Sequence, residues 1–269
     1  MSATLRIGCQ TYSWEMRGKD WTGTPDDILD IVAAAGYEGV EFTNNTIADY
    51  GDAPQRFTEA LQRRNLACAA FSFGSTGFTD PALYERDLAG AEQALAFSAA
   101  LGVVLCLGGA ASPSREAYDA KMAQAVRFYR AVAERGAKMG VTVCVHPHSH
   151  YGSLLESAEE YDHVMAATAD SGLMLNPDAG HITRSGQNLM DCLRRHRARV
   201  AHVHIKDADV QNNWQALGKG IISWKTVLGY LRDSGYTGWV VAEEESDDAR
   251  RDPVDAVTSN RRYLRSCGF

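Results

Sequence analysis

At 269 residues and a formal net charge of −7, with 27 Lys and Arg against 34 Asp and Glu, the chain shows no basic excess or stripe, and polyanions such as nucleic acid are poor candidate ligands. Its 45% hydrophobic and 23% charged residues suit a globular protein with a full-sized core, and no stretch approaches the ~20 apolar residues of a membrane span. The length matches the ~250 residues of one eight-stranded β/α barrel, so a single domain over residues 1–269 is expected.

The chain opens with MSATLRIGCQTYSW, a strand pattern with no basic region or apolar signal core before it, and reads as cytoplasmic. Short β-rich runs predict strands over 5–9, 39–43, 67–72, 103–108, 141–146, 173–176, 200–206 and 239–243. Helical periodicity lies between them, as in Ile28, Ile31, Val32 and Ala35 or Trp224, Val227, Leu228 and Leu231. Thr24 before Pro25 and Ser223 before Trp224 are helix caps by type, while Gly36, Gly140 and Gly235 fall where helices should stop. GYEGVEF at 36–42 is echoed by GYTGWVV at 235–241, which suggests related β/α units. The alternation predicts an α/β fold, a single (β/α)8 TIM barrel. An open doubly wound sheet is the alternative, but its Gly-rich phosphate turn is missing after the first strand, where CQTYSW stands. The loops over 14–24, 74–80 and 208–222 read as βα loops and lids. Six scattered cysteines without a CxxC pair read as reduced thiols, four of them inside candidate strands.

In such barrels the active site is built at the carboxyl ends of the strands, so polar residues that terminate apolar runs are the ones to collect. VHPHSH supplies His146, His148 and His150 after strand five, with Glu156 following; PDAGH supplies Asp178 and His181 after strand six. HVHIKD supplies His202, His204 and Lys206 on one face of strand seven, and AEEES supplies Glu243 and Glu245 on one face of strand eight. A lone histidine at a strand end is more often a satisfied hydrogen-bonding residue than a ligand, and a lone carboxylate is often a cap. Six of the eight histidines nevertheless lie in three of these strings, which points to a divalent metal site of mixed nitrogen and oxygen ligands. Asp207, Glu244 and Glu159 keep structural readings as a local cap, an outward-facing group and a solvated helix face.

These residues resemble the xylose-isomerase-like barrel superfamily, which includes inosose isomerases and dehydratases, keto-sugar epimerases and endonuclease IV. The likeness spans the chain. It implies metal ligands at Asp178, His204 and Glu243, with His181 as the histidine of the DxxH context. Strand five departs from the isomerase pattern, because His146 stands where the usual glutamate would be. HPH followed eight residues after His148 by Glu156 looks more like the inosose-dehydratase branch, making Glu156 the favoured fourth ligand and His146 its rival. Either set suits Mn, Co, Zn or Mg with room for substrate oxygens.

Such an ion would stabilise the enediolate formed when carbon beside a ketone loses its proton. His148, His181 or Glu245 is suited to act as the base, and Lys206 to neutralise the developing oxyanion. The expected activity is therefore a metal-dependent isomerase or epimerase on a keto sugar or inosose. A dehydratase on the same substrates is the close alternative. An endonuclease IV-like phosphodiesterase or a non-catalytic sugar-binding barrel is less favoured. Tyr12, Trp14, Trp21, Phe42, Phe71 and Trp214 either wall a sugar pocket or pack as core and lid. The partners expected are a small sugar or cyclitol, neither nucleic acid nor membrane, and a second copy in a homodimer.

Overall fold

The computed structural model describes residues 4–149 and 153–269, so His150 lies outside the described residues. Among the described residues the strands are β1 Arg6–Gln10, β2 Gly39–Thr43, β3 Ala67–Phe73, β4 Val104–Gly108, β5 Val143–His146, β6 Met174–Leu175, β7 Val203–Ile205, β8 Asp207–Ala208, β9 Trp214–Gln215 and β10 Trp239–Ala242. The α-helices in chain order are α1 Tyr12–Glu15, α2 Pro25–Ala35, α3 Pro54–Gln62, α4 Tyr84–Leu101, α5 Tyr118–Met139, α6 Ala158–Ala167, α7 Ala179–Arg184, α8 Leu189–Arg195, α9 Trp224–Asp233, α10 Asp247–Arg251 and α11 Pro253–Ser266. The eight expected strands are β1 to β7 and β10, each within a few residues of its sequence-based bounds. No helix of the described residues is long and apolar enough to cross a membrane.

Two compact units are formed, one running to Ala69 and resuming at His202–Phe269, the other comprising Ala70–Ala201. In the first, β1 is paired in parallel with both β2 and β10, Cys9 standing opposite Val40 and Ala242. β10 pairs in turn with β7, Val241 opposite His204. The first barrel strand thus bonds to the last, a pairing that a barrel uses and the open doubly wound alternative does not. The echoed GYxG strings mark β2 and β10, and here one glycine is required: a Cβ on Gly39 would sit 2.7 Å from the Trp239 ring. Every residue of β2 is buried, including Glu41, in a strand otherwise apolar or small.

Helix α2 follows from its sequence. Thr24 accepts from the Asp27 N–H while Asp27 accepts from the Thr24 N–H, Pro25 fits the first turn, and Gly36 ends the helix at φ +83°. Its stripe of Ile28, Leu29, Val32 and Ala35 is buried, each large side chain contributing about 1.5–3 kcal/mol. Ser223 stands at the cap of α9 as expected, but its hydroxyl meets the Thr226 hydroxyl at 2.9 Å, not a backbone N–H. The loop over 208–222 is built on Asp207, whose carboxylate accepts from the backbone N–H groups of Ala208, Gly218, Gly220 and Ile222 and from Trp224 Nε1. Asp207 is therefore a loop organiser, which extends the local-cap reading. Glu244 turns toward α11, accepting from Asn260 Nδ2 at 2.7 Å.

In the second unit the end of β3 pairs with β4, β4 with β5 and β5 with β6. Cys106 faces Cys144 and Gly108 faces His146, so the register carries His146 to the end of its strand. The buried cluster of Ala70, Cys106 and Cys144 supports these strands, and all six cysteines are free thiols. Ser157 and Glu160 form a reciprocal cap at the start of α6.

Candidate active site

Strand alternation puts His202, His204 and Lys206 on one face of the β7 segment, and all three are buried. Each imidazole meets a carboxylate. His202 Nε2 lies 2.7 Å from Glu41 Oε2, and His204 Nε2 lies 3.0 Å from both Glu41 oxygens. An ionised carboxylate only accepts, so both Nε2 atoms carry protons, and His204 turns Nδ1 to Glu243 Oε2 at 2.8 Å. Lys206 Nζ stands 3.4 Å from Glu243 Oε1, also pairs with Glu245, and lies 4.9 Å from the centre of the Trp214 ring.

The electrostatics follow from this chain. Burial alone would push the Glu41 carboxyl up, but the adjacent His204 and His202 hold it well below the usual carboxylate range. Burial opposes charge on His204, yet Glu41 and Glu243 raise its pKa well above the ordinary 6.5. Tyr12, after β1, is pushed up to about 12 by burial and then by Glu245, Glu243 and Glu15, so it stays a neutral phenol.

The second unit is built differently. Asp178 caps α7 by accepting from the His181 N–H at 2.8 Å through Oδ1, while Oδ2 lies 3.5 Å from His146 Nε2. His146 Nδ1 meets His148 Nε2 at 3.1 Å. His181 Nδ1 accepts from the Ser149 N–H at 2.9 Å, which fixes the neutral ring with its proton on Nε2. The three rings stand 4.8 to 5.8 Å apart by their centres. Close approach of the segments after β4 and β5 accompanies this, since a Cβ on Gly109 would lie 3.0 Å from the His148 backbone nitrogen.

These donors fit a divalent ion. Two ligand atoms at ~2.1 Å from a tetrahedral ion stand about 3.4 Å apart. The Nδ1 to Glu243 separation of 2.8 Å and the His146 to Asp178 separation of 3.5 Å bracket that span. The Glu41 bond to His204 Nε2 also reproduces the carboxylate–histidine pairing that orients an imidazole whose other nitrogen binds metal.

The family model of the xylose isomerase-like TIM barrel matches residues 29–267. The chain belongs to this family. Among curated proteins it is 24% identical to an inosose dehydratase of Lacticaseibacillus casei (strain BL23), the match covering 98% of this chain and 96% of that protein. An inosose dehydratase of Erwinia tasmaniensis is 34% identical over 161 residues, 52% of this chain and 53% of that protein. Among solved structures, the apo 3-keto-D-glucoside 4-epimerase of E. coli superposes with a TM-score of 0.79 at 19% identity, covering 98% of this chain and 100% of that one. The expected (β/α)8 TIM-barrel fold stands.

Within this family the residues sort by unit. The first brings together His204, Glu243, Lys206 and Glu245; the second brings together His146, His148, Asp178 and His181. Glu156 is half-buried, with its N–H donating to Glu160 at 2.7 Å and its carbonyl accepting from Gln187 at 2.6 Å. Burial pushes its carboxyl up, against the pull of Arg115, and among the described residues it joins none of the close metal-capable groups. Sequence reasoning missed Glu41, whose signal was a lone carboxylate inside an otherwise buried apolar strand. Phe42 and Phe71 are core residues, not pocket walls open to solvent.

Proposed function

We propose that the protein is a divalent-metal-dependent lyase that removes water from an inosose or a related keto sugar. The observation that carries this reading is the group of His146, His148 and His181 beside Asp178. Loss of a β-hydroxyl needs a proton delivered to the leaving oxygen, and an imidazole that has taken up the proton lost by the neighbouring carbon can return it there, a transfer suited to His148. His181, held by Ser149, offers a fixed Nε2–H as a hydrogen-bond donor to that oxygen. The likeness to inosose dehydratases over nearly the whole chain supports the same branch.

Asp178, His204, Glu243 and His146 would hold the ion, with Glu156 the alternative to His146. A bound ion would supply Lewis acidity for the carbonyl of the substrate and so ease removal of the neighbouring proton. His148 and Glu245 are the bases available for that proton. Lys206, fixed by Glu243 and Glu245, presents positive charge where an enolate oxygen develops, and Tyr12 is a neutral hydroxyl donor. Manganese, cobalt, zinc and magnesium all suit this mixed donor set.

Isomerisation or epimerisation is the second reading, favoured by the paired carboxylates Glu243 and Glu245. The product decides: incubation with inososes and keto sugars should give loss of water by mass spectrometry. Unchanged product mass would establish the second reading, and turnover by rigorously metal-free protein would remove both. The same reading carries one domain, a cytoplasmic location and a homodimer, to be checked by limited proteolysis, fractionation and light scattering.

A further inference from the structure

The string AEEES carries three consecutive glutamates, of which Glu243 and Glu245 meet Lys206. Glu244, between them, turns to α11 and is 3% exposed. Its Oε1 accepts from the Ser246 N–H at 3.0 Å and its Oε2 from Asn260 Nδ2 at 2.7 Å, while its carbonyl accepts from the Ser13 hydroxyl at 2.8 Å. Asn260, 1% exposed, carries the connection onward, its Oδ1 accepting from the Leu217 N–H at 2.8 Å. A backbone N–H only donates and a carboxylate only accepts, so the two neighbours together fix which way the amide points.

Leu217 follows the β8–β9 hairpin three residues after Trp214, whose ring lies over Lys206 Nζ. Asp207 gathers the loop through the N–H groups of Gly218, Gly220 and Ile222, and Asp209 accepts from those of Gln211 and Asn213 at the hairpin tip. Both bind the loop to itself. Asn260 instead ties it to α11 and, through Glu244, to the strand end that carries Glu243 and Glu245.

We infer that Glu244 and Asn260 are a positioning pair for the proposed reaction: they lock the hairpin to the end of β10, so that the Trp214 ring holds the Lys206 ammonium in place against Glu243 and Glu245. The inference rests on the reading above of Lys206 as the charge that meets the developing oxyanion. That contact strengthens as the oxyanion forms, so loosening it lowers kcat and leaves KM almost unchanged.

The polarity of the pair can be reversed, which supplies the test. In Glu244→Gln an amide N–H faces Asn260 Nδ2, donor against donor, and in Asn260→Asp two carboxylates face each other. In the double variant the new amide donates to the new carboxylate, whose other oxygen still accepts from Leu217. Each single variant, folded by circular dichroism and with parental metal content, should lose about tenfold in kcat with KM within about twofold. The double variant should return kcat to within about twofold of the parent. Acrylamide quenching of tryptophan fluorescence should rise in the single variants and fall back in the double variant. On a Trp214→Phe background the same substitutions should leave quenching unchanged, a result that general loosening of the fold would not give. Parental kcat in both folded single variants, or a folded double variant as impaired as either, overturns the pairing. So does a rise in quenching that persists on the Trp214→Phe background. If the parent turns over no keto sugar, the proposed reaction falls and the quenching series alone decides the pairing: reversal in the double variant sustains it, and no reversal overturns it.

Discussion

The two units solve the burial of imidazole in opposite ways. In the first, His202 and His204 each lean on Glu41, and His204 reaches Glu243, which itself meets Lys206. In the second, three imidazoles stand against one another with Asp178 the carboxylate beside His146. Ion pairs fix charge and tautomer, whereas a ring that accepts a backbone N–H, as His181 does from Ser149, has its tautomer fixed without an ion pair. The first arrangement therefore gives each histidine of the β7 segment a carboxylate partner, and the second surrounds a single carboxylate with histidines.

The largest expected effect would break this division at its metal ligands. Asp178→Asn and His204→Ala should each lower metal affinity by more than about 100-fold and abolish turnover, read by elemental analysis and steady-state kinetics. Metal retained by folded Asp178→Asn protein would remove Asp178 from the proposed ligands. Asp207→Ala tests whether buried polarity in the first unit is all functional. It should cost about 3 kcal/mol or more in urea unfolding, because five donors lose their acceptor, with little change in metal stoichiometry.

Glu41→Gln sharpens the comparison further. A glutamine amide accepts through its oxygen from one imidazole N–H and turns its own N–H groups toward the other, a second donor, so metal affinity should fall about 10–100-fold in chelator competition. A folded Glu41→Gln protein with parental affinity would show that Glu41 merely fills β2. The smallest effect is that of pH. The raised pKa of His204 means that its protonated form stabilises the metal-free fold fully below the ordinary 6.5, and that this stabilisation is lost as pH rises through the raised value. The depressed Glu41 carboxyl acts oppositely, contributing above the ordinary 4.5 and losing its contribution as pH falls through its lowered value. Denaturant midpoints of the metal-free protein should thus decline on the alkaline side, and metal affinity should rise there as the proton is displaced. A midpoint that climbs with pH above 6.5 would contradict the imidazolium assignment.

Much of this was legible in the chain. β2 has its expected bounds at Gly39–Thr43, because its five-residue buried run is flanked by turn signals. The α2 cap at Thr24 and stop at Gly36 are short-range events, settled by residues within one turn. Period-two alternation foretold that His202, His204 and Lys206 share a face, whereas Asp178, read from the sequence only as a ligand, also caps the helix carrying His181. Ser223 shows the limit even of local reading, since a hydroxyl chooses between Thr226 and the backbone by geometry that residue type leaves open.

What sequence alone determined, then, was the strand and helix order and the set of side chains delivered to strand ends, because both depend on local periodicity and nearby hydrogen bonds. Tertiary structure decided the partners. Glu41 meets His204 across 163 residues, Lys206 joins Glu243 and Glu245 across the β7 and β10 segments, and Glu15 accepts from Thr43 and Asn45. No spacing along the chain encodes such pairings. They arise when parallel strands take their register and bury polar groups that must find partners, a condition imposed by packing.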